Sequence, residues 1–336
     1  MKEAYLYKRL DSSKVRCDLC NHRCVIKDGL KGKCGVRKNE SGNLYTLVYN
    51  KVISENVDPI EKKPLFHFLP GSLSLSIATP GCNFKCFFCQ NWQISQMPCD
   101  YDSIEGRDIP PEKIVRDAID YNCASIAYTY TEPTIYFELA YDTARLASEK
   151  NIKNIFVTNG FMTEECLEMI GPFLDAANVD LKSFSEAFYK DKAGGRLRPV
   201  LNNIKKMFEL GIWVEVTTLL IPGLNDSEDE LRKIADFIKN VSETIPWHIS
   251  AYYPQYISRI SSTKPESIFK AIEIGKKSGL KYVYGGNIPH SIYENTLCNK
   301  CGKDVIKRAG FSIIEKNMGN GCCNKCGNKI DGIWSI

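Results

Sequence analysis

The sequence predicts an α/β protein built on a full or partial (β/α) barrel, with a small cysteine-rich module on each side of it. Three observations support this prediction. Short β-rich segments alternate with helical segments in the central region, polar residues follow several of these segments, and the cysteines form three groups along the 336 residues. We therefore expect an N-terminal module with a lead-in segment at 1–71, a barrel at 72–290 and a C-terminal module at 291–336.

Seven β-rich segments define the predicted barrel strands. They are LSLSIATP (73–80), SIAYTYTEP (125–133), NIFVTNG (154–160), NVDLKSF (178–184), WVEVTTLLIPG (213–223), WHISAYYP (247–254) and KYVYGGN (281–287). Helical signals lie between them: Ser227 and Glu230 form a capping box, and Pro111 opens another helix at a first-turn position. About six or seven strand–helix units favour a barrel over an open sheet, with right-handed crossovers between parallel strands.

Polar residues follow the predicted strands. They are Glu132, Asn159, Asp180, Lys182, His248 and Asn287. Any one of them also suits a turn, a cap or a buried pair. Because the active site of such a barrel is built where its strands end, we expect the six side chains to converge on one mouth.

Composition and charge narrow the class of protein. The chain is 43% hydrophobic and has a formal net charge of +4, which gives little support to nucleic-acid binding. No run of about 18 apolar residues occurs, and the opening MKEAYLYKRL is polar, so we expect a cytoplasmic protein without a membrane span. In that compartment thiols stay reduced, and 15 cysteines indicate metal-binding or catalytic groups. Charged runs such as Glu61-Lys62-Lys63 suit solvent-exposed faces.

Three cysteines directly follow the first predicted strand. Cys82, Cys86 and Cys89, the loop thiols, are spaced C-x3-C-x2-C within CNFKCFFCQNWQISQ (82–96). A structural zinc site would use four protein ligands, whereas three thiolates on a short loop suit an iron–sulfur cluster. Three protein ligands leave one iron of a [4Fe–4S] cluster open to an exogenous ligand.

This loop resembles the signature of radical S-adenosylmethionine (SAM) enzymes, which is C-x3-C-x-aromatic-C. The resemblance implies SAM bound to the open iron and cleaved by one electron to methionine and a 5′-deoxyadenosyl radical, which abstracts hydrogen from a substrate. Phe88 matches the aromatic position near the adenine. A flavodoxin or ferredoxin is implied as the electron donor.

The chain is most similar to the pyruvate formate-lyase activating enzyme-like proteins of the AmmeMemoRadiSam system. The similar segments are VDPIEKKPLFHFLPGS (57–72), YTEPT (130–134), VTNGF (157–161), VDLK (179–182), LLIPGLND (219–226) and WHISAYYP (247–254). The resemblance implies that Glu132 contacts the SAM amine. It implies that Asn159, Asp180, Lys182 and His248 line the SAM cleft. Memo-like and AMMECR-type proteins are implied as partners.

Activation of a glycyl radical enzyme is the alternative function within this superfamily. Activating enzymes share the TNG and DLK motifs with this chain, but they carry an acidic residue before TNG, where this chain has Val157. That difference weakens the expectation of a cation site beside the SAM carboxylate. A metal-dependent nucleic-acid-binding module is a more distant alternative.

The flanking cysteines form two sets of four. The N-terminal thiols, spaced C-x2-C-x3-C-x9-C, are Cys17, Cys20, Cys24 and Cys34. Their close spacing favours an auxiliary [4Fe–4S] cluster over zinc. The ribbon thiols, in two CNKCG repeats, are Cys298, Cys301, Cys323 and Cys326. Paired knuckles with a hairpin between them predict a zinc ribbon, with rubredoxin-type iron as the alternative.

Overall fold

An eight-stranded sheet forms the main body of the computed structural model, which describes residues 1–288 and 292–335. Its parallel strands, in order, are Leu73–Ala78, Ser125–Tyr128, Lys153–Thr158, Ala176–Asp180, Trp213–Leu220, Trp247–Ala251 and Val283–Gly286. Each pairs with its neighbour in sequence in parallel register. All seven predicted strands are therefore confirmed, and each ends before the predicted segment does, so that polar residues follow in loops.

One further strand completes this sheet. Ser54–Pro59 pairs antiparallel with Leu73–Ala78. Within the described ranges, no pairing joins this edge strand to Val283–Gly286 at the opposite edge. The barrel is therefore partial. Its sheet begins inside the range that the sequence assigned to the N-terminal module, and the predicted boundary at 290/291 lies outside the described residues.

Helices cover the outer face of the sheet. The longer ones are Pro111–Asp120, Phe137–Ser148, Glu164–Ile170, Leu197–Glu209, Glu228–Val241 and Pro265–Lys277. Short turns lie at Ile60–Lys62, Trp92–Ser95, Met97–Asp100, Pro133–Tyr136, Gly171–Phe173, Glu186–Phe188, Tyr189–Ala193 and Ile292–Glu294. None of the helices in the described part of the chain is long and apolar enough to cross a membrane.

The predicted capping signals are largely confirmed. Pro111 is the first residue of its helix, and the Ser227 hydroxyl accepts a hydrogen bond from the Glu230 N–H at 3.3 Å. The Glu230 carboxylate, however, accepts from the Ser183 hydroxyl and the Phe184 N–H. Only the Ser227 half of the capping box is therefore formed among these contacts. The Glu230 carboxylate does not return to the Ser227 N–H but joins the helix to the loop at 183–184.

Short strands build the N-terminal module. They are Lys2–Glu3, Tyr7–Arg9, Val15–Cys17, Val25–Ile26, Arg37–Glu40, Asn43–Thr46 and Lys51–Val52, the last paired with Arg107–Asp108. The module packs on the barrel through Asn21, whose N–H donates to the Phe161 carbonyl at 3.0 Å. Beside it, Cys20 and Met162 form an isolated antiparallel β-bridge. The module therefore shares a continuous core with the barrel.

The segment 57–72 closes the lower end of the barrel. Leu65 and Phe68 pack there against Ala127, Ile155 and Ala176, which come from three parallel strands. The apolar residues of VDPIEKKPLFHFLPGS therefore fill the end of the barrel opposite the carboxyl ends of the strands.

Two of the three residues in this charged run are buried, so the interpretation of Glu61-Lys62-Lys63 as a solvent-exposed face is wrong for Glu61 and Lys63, whereas Lys62 is exposed. Glu61 and Lys63 are each 1% exposed. The Lys63 ammonium lies 2.6 Å from the buried carboxylate of Asp58, and Glu61 faces Arg308 at 3.7 Å. Charges that pair across two segments of chain leave no periodic signal in the sequence, and the pairing is what makes their burial tolerable.

The C-terminal module forms the predicted ribbon. Its strands are Thr296–Leu297, Asp304–Ala309, Ser312–Lys316, Met318–Gly319 and Cys322–Cys323. The second and third of these form the expected hairpin. The module docks under the barrel through Arg308, whose guanidinium donates to the Phe66 carbonyl at 2.8 Å and lies 4.1 Å from the centre of the Phe66 ring.

Candidate functional site

The carboxyl ends of the parallel strands enclose a cleft of about 410 Å³. Its lining includes all three loop thiols and residues that lie near the end of, or just after, each of the other six parallel strands: Thr129, Glu132, Asn159, Asp180, Lys182, Thr217, Leu219, Ser250 and Asn287. The structure thus brings together five of the six polar residues that were expected to converge. A cleft of this size suits a small-molecule ligand or cofactor.

The loop thiols occupy one wall of the cleft. Cys82 accepts a hydrogen bond from the Phe84 N–H at 3.4 Å, and the Cys89 sulfur lies 3.2 Å from the Ser95 hydroxyl. Burial raises the pKa of Cys82 well above its ordinary value and that of Cys86 to about 12. Such thiols are protonated on their own, and a bound metal would deprotonate them.

Close packing around the cysteine loop leaves no room for a side chain at two glycines, Gly81 and Gly195. Gly81 has a φ of +109°, and a Cβ there would lie 2.9 Å from Val36 of the N-terminal module. A Cβ at Gly195 would lie 2.4 Å from the Phe84 ring. A larger residue at either position would force the loop and its thiols to shift.

Glu132 is held in a fixed orientation beside the loop. Its Oε1 accepts from the Thr134 N–H at 3.0 Å, the Thr134 hydroxyl at 2.5 Å and the Thr158 hydroxyl at 2.8 Å. Its Oε2 accepts one hydrogen bond, from the Asn159 N–H at 2.8 Å. Burial raises the pKa of Glu132, while these four donors favour its carboxylate. Since Oε2 has a single donor, it retains a lone pair for a ligand cation.

Asn159 links this carboxylate to the cysteine loop. Its side-chain amide donates to the Asn83 side-chain oxygen at 2.7 Å, and the same nitrogen lies 3.9 Å from the Cys82 sulfur. Asn159 and Cys82 therefore lie on one face of the cleft.

Asp180 and Lys182 form an ion pair at the next strand end. The Lys182 ammonium lies 2.7 Å from the Asp180 carboxylate. Burial opposes the charge on Lys182, but Asp180 and the nearby Cys86 thiol hold the pKa of Lys182 above its ordinary value. The lysine therefore presents a positive charge to the cleft at neutral pH.

Phe88 lies in the cleft wall as the sequence suggests. It is 3% exposed and packs against Phe87 and Phe188, with ring centres 5.2 Å and 5.9 Å away. The Gln90 side chain donates to the Phe88 carbonyl and to the Tyr253 carbonyl, each at 3.1 Å. These contacts join the cysteine loop to the sixth strand's loop.

The structure does not bring His248 to the cleft. Its ring nitrogen lies 2.6 Å from the Glu215 carboxylate, and the ring packs against Phe66 and Tyr284. Thr217 and Ser250, each two residues further along the same strands, do line the cleft. His248 therefore lies inside the barrel below the cleft, where Phe66 of the segment 57–72 contacts it. The prediction that it lines the SAM cleft is corrected on this point.

Sequence reasoning missed several cleft residues. Thr217 and Leu219 could have been found from strand alternation, because every second residue of a strand faces the same side and both lie on the same side as Glu215. Tyr130 could not have been found in this way. Its φ of +62° is unusual for tyrosine, and its hydroxyl bonds the same Asp58 that pairs with Lys63. This arrangement depends on a contact between distant segments.

The ribbon thiols form a compact group. Sulfur distances are 3.6 Å between Cys298 and Cys326 and 3.8 Å between Cys301 and Cys323, and all four sulfurs lie within 4.8 Å of one another. Ligands of a tetrahedral zinc ion with bonds of about 2.3 Å are about 3.8 Å apart. Cys322 is outside this group. The four thiols could hold one metal ion.

Comparison with known proteins agrees with this geometry. Residues 76–238 match the family described as the radical SAM superfamily. A protein of Methanocaldococcus jannaschii is 44% identical over 335 residues, which cover 98% of this chain and 99% of the relative. The chain belongs to the radical SAM superfamily. Its members are enzymes, and the domain implies SAM and a [4Fe–4S] cluster as cofactors.

Two further relatives bear on this radical SAM protein. A putative glycyl-radical enzyme activating enzyme of M. jannaschii is 29% identical over 209 residues, covering 60% of this chain and 77% of the relative. The crystal structure of a radical SAM methyltransferase from Sphaerobacter thermophilus matches with a TM-score of 0.52 at 16% identity, covering 65% of this chain and 67% of that chain. The latter is a likeness of fold alone, and it confirms the predicted fold class.

Proposed function

We propose that this radical SAM enzyme binds a [4Fe–4S] cluster through the loop thiols and uses it with SAM to abstract hydrogen from its substrate. When SAM is bound at the open iron, cluster and SAM supply a one-electron cleavage that yields methionine and a 5′-deoxyadenosyl radical. The observation that carries the proposal is the shared cleft: three thiols and the orphan lone pair of Glu132 face the same space.

The spacing of the loop thiols fits a cluster better than a single ion. Among the described residues, only the ribbon thiols form a group of three or more ligand atoms within 4.8 Å of one another. The loop thiols are not part of such a group. Three thiolates on one short loop suit an iron–sulfur cluster, whereas structural zinc uses four protein ligands.

The polar residues of the cleft fit the amino acid part of SAM. Glu132 offers a rigid carboxylate to the ammonium, since its other lone pairs are already used by Thr134 and Thr158. Lys182, oriented by Asp180, offers a cation to the carboxylate. Phe88 offers an apolar wall for the adenine. These groups would bind and orient SAM and limit access of water.

Glycyl radical enzyme activation is the second candidate function. The similarity to a putative glycyl-radical enzyme activating enzyme favours it. Val157, which lines the cleft where those enzymes carry an acid, weighs against the same cation arrangement. Under this function the substrate is a backbone glycine of a partner protein, and a carbon-centred radical on that partner would identify it.

We propose zinc for the ribbon thiols and an auxiliary cluster for the N-terminal thiols. The 3.6–3.8 Å sulfur distances support zinc. A flavodoxin- or ferredoxin-type donor would supply the electron. Memo-like and AMMECR-type partners stay predictions that depend on sequence resemblance.

The proposed chemistry is tested by 5′-deoxyadenosine formation. Anaerobic, iron-loaded protein is incubated with SAM and dithionite, and the nucleoside is measured by chromatography. Wild type should form it, and Cys86→Ala should lose about four irons together with all product. Product formation by Cys86→Ala, or none by cluster-replete wild type, would contradict the proposal.

Two variants sharpen this test. Glu132→Gln should keep its iron but bind SAM roughly tenfold or more weakly, because a charge-assisted hydrogen bond is lost. Cys99→Ala is the matched control, since Cys99 is a lone thiol outside the cleft that contacts the Lys33 carbonyl. Unchanged SAM affinity in Glu132→Gln would remove Glu132 from the binding site.

A further inference from the structure

The N-terminal thiols surround a small enclosed cavity. His22, Arg37 and Asn83 line it together with the four cysteines. Cys17 and Cys34 are buried, and Cys20 and Cys24 are half-buried. The cavity is separate from the SAM cleft, although Asn83 belongs to the same loop as the loop thiols.

The sulfur spacing in this cavity differs from that of the ribbon. Only the ribbon thiols, in the part of the chain that the structure describes, gather three or more ligand atoms within 4.8 Å of one another. The N-terminal thiols do not form such a compact group, and four thiols around one cavity match the four thiolate ligands of a [4Fe–4S] cluster.

Three buried donor nitrogens on two residues of the cavity wall have no acceptor among the described residues. The Arg37 guanidinium, 1% exposed, donates from Nη2 to Glu138 at 2.6 Å, but its Nε and Nη1 find no partner among the described residues. The Nδ2 of Asn83, a residue 4% exposed, is also unpaired. A buried unpaired donor is costly, so such groups indicate an acceptor that the protein itself does not contain.

These donors have the chemistry that an iron–sulfur cluster requires. A cluster with four thiolate ligands is anionic, and its inorganic sulfides accept hydrogen bonds. Arg37 lines the same cavity as Cys17 and Cys34. A single zinc ion has no sulfide to accept from Arg37 or Asn83.

A direct connection joins this cavity to the loop thiols. The His22 Nε2 lies 2.8 Å from the Asn83 carbonyl oxygen, so this nitrogen carries the proton and donates. Asn83 is bonded to Cys82, and its side-chain oxygen lies 3.8 Å from the Cys82 sulfur. His22 itself lies between Cys20 and Cys24 in the chain. One hydrogen bond therefore links the ligand segments of both sites.

We propose that the N-terminal thiols bind a redox-active iron–sulfur cluster, hydrogen-bonded by Arg37 and Asn83, that delivers the electron to the loop cluster through His22 and Asn83. This inference rests on the proposed function for the loop thiols. Cys17, Cys20, Cys24 and Cys34 would hold the cluster. It would accept one electron from a reduced flavodoxin- or ferredoxin-type donor and pass that electron on to the loop cluster, with no bond formed or broken in either transfer.

Metal content tests the site. Anaerobically reconstituted wild type should contain about eight irons, and Cys17→Ala/Cys20→Ala should contain about four while keeping the loop cluster. Iron, zinc and sulfide are measured on both proteins, with Cys99→Ala as control. Zinc at the N-terminal thiols of wild type, or equal iron in the two proteins, would overturn the proposal.

The electron path is tested by reduction kinetics. Proteins are mixed with reduced flavodoxin, and freeze-quenched samples are followed by electron paramagnetic resonance, which reports the loop cluster directly. His22→Phe keeps a ring against Phe161, whose centre lies 4.9 Å away, and removes the hydrogen bond. It should keep both clusters and slow reduction of the loop cluster about tenfold. Equal rates in wild type and His22→Phe would overturn the path.

Two readouts separate this inference from the proposed function. Dithionite is small and reduces the loop cluster directly, so His22→Phe and Cys17→Ala/Cys20→Ala should both form 5′-deoxyadenosine with dithionite. If wild type forms none, the proposed function fails. If every protein forms it and flavodoxin reduces all of them at one rate, only the electron path fails. If His22→Phe loses its clusters, the rate at which flavodoxin reduces the loop cluster is compared between wild type and Cys17→Ala/Cys20→Ala, and equal rates would overturn the path.

Discussion

The N-terminal and ribbon thiols each number four, yet the chain surrounds them differently. Two pairs of ribbon sulfurs lie 3.6 Å and 3.8 Å apart in a small β module, and all four lie within 4.8 Å of one another. The N-terminal thiols line a cavity together with Arg37 and Asn83, which carry unpaired donor nitrogens. Two sets of four cysteines thus differ in how compact they are and in the hydrogen-bond donors around them, and on this difference we base the proposal of different metals.

The two buried arginines beside these groups of thiols also differ in how many hydrogen-bond partners they have. Arg308, beside the ribbon, donates to the carbonyls of Glu294 and Phe66 and to the Thr296 hydroxyl at 2.8–3.0 Å. It joins the module to the barrel. Arg37 has one partner, Glu138, and keeps two nitrogens unpaired toward its cavity. Arg308 has one unpaired nitrogen, Nε, which lies 3.7 Å from the Glu61 carboxylate, whereas Arg37 has two.

The largest effect is expected from the ribbon. Cys323→Ser should lose the zinc and unfold this module, because structural zinc binding contributes about 10–16 kcal/mol in small zinc modules. Zinc analysis and limited proteolysis measure the effect. Cys322→Ser is the matched control, since the adjacent thiol is outside the compact group and should leave zinc content unchanged. Zinc retained in Cys323→Ser would contradict a structural zinc site.

Arg308→Met should destabilise the protein by about 3–5 kcal/mol, because Glu61 would be left buried without its cation. Urea unfolding at neutral pH measures this change. Lys307→Met, at the neighbouring and more exposed position, removes an ion pair with Glu315 and should cost no more than about 1 kcal/mol. Similar losses in the two variants would mean that Arg308 does not anchor the ribbon.

Acid should weaken the barrel–ribbon contact through His67. Burial lowers the pKa of His67 to about 4, and its ring bonds Tyr284 and the Asp331 carbonyl. The unfolded chain therefore binds more protons than the folded one between about pH 6.5 and 4, and stability falls with pH in that window by roughly 3 kcal/mol. In urea unfolding from pH 7 to 4, His67→Gln should lose less stability than wild type. Parallel losses would exclude His67 as the cause.

Arg37→Lys should have the smallest effect on stability, about 1 kcal/mol or less, because the ammonium can still pair with Glu138. It should lower the reduction potential of the N-terminal cluster, since hydrogen bonds to cluster sulfurs stabilise the reduced state. Redox titration followed by electron paramagnetic resonance measures this shift. Arg16→Lys is the control, because Arg16 pairs with Asp18 away from the cavity. An unchanged potential would mean that Arg37 does not contact the cluster.

Much of the fold could be predicted because its signals are local. Strand segments, the Ser227 cap, the hairpin between the CNKCG repeats and the three cysteine groups all follow from short-range patterns. The edge strand Ser54–Pro59 was missed, since nothing in its sequence marks it as part of the barrel sheet. His248 was placed in the cleft because its strand end was known, but its depth along the barrel was not.

The sequence by itself determined the superfamily, the loop thiols, and the order of strands that carries Glu132, Asn159 and Asp180 to one mouth, because these depend on spacing along the chain. The tertiary structure alone decided which charges are buried and what they face. The contact of His22 with Asn83 spans 61 positions and that of Arg37 with Glu138 spans 101. Such contacts depend on how distant segments pack, and no local pattern encodes the low-dielectric surroundings that make buried charges and donors significant.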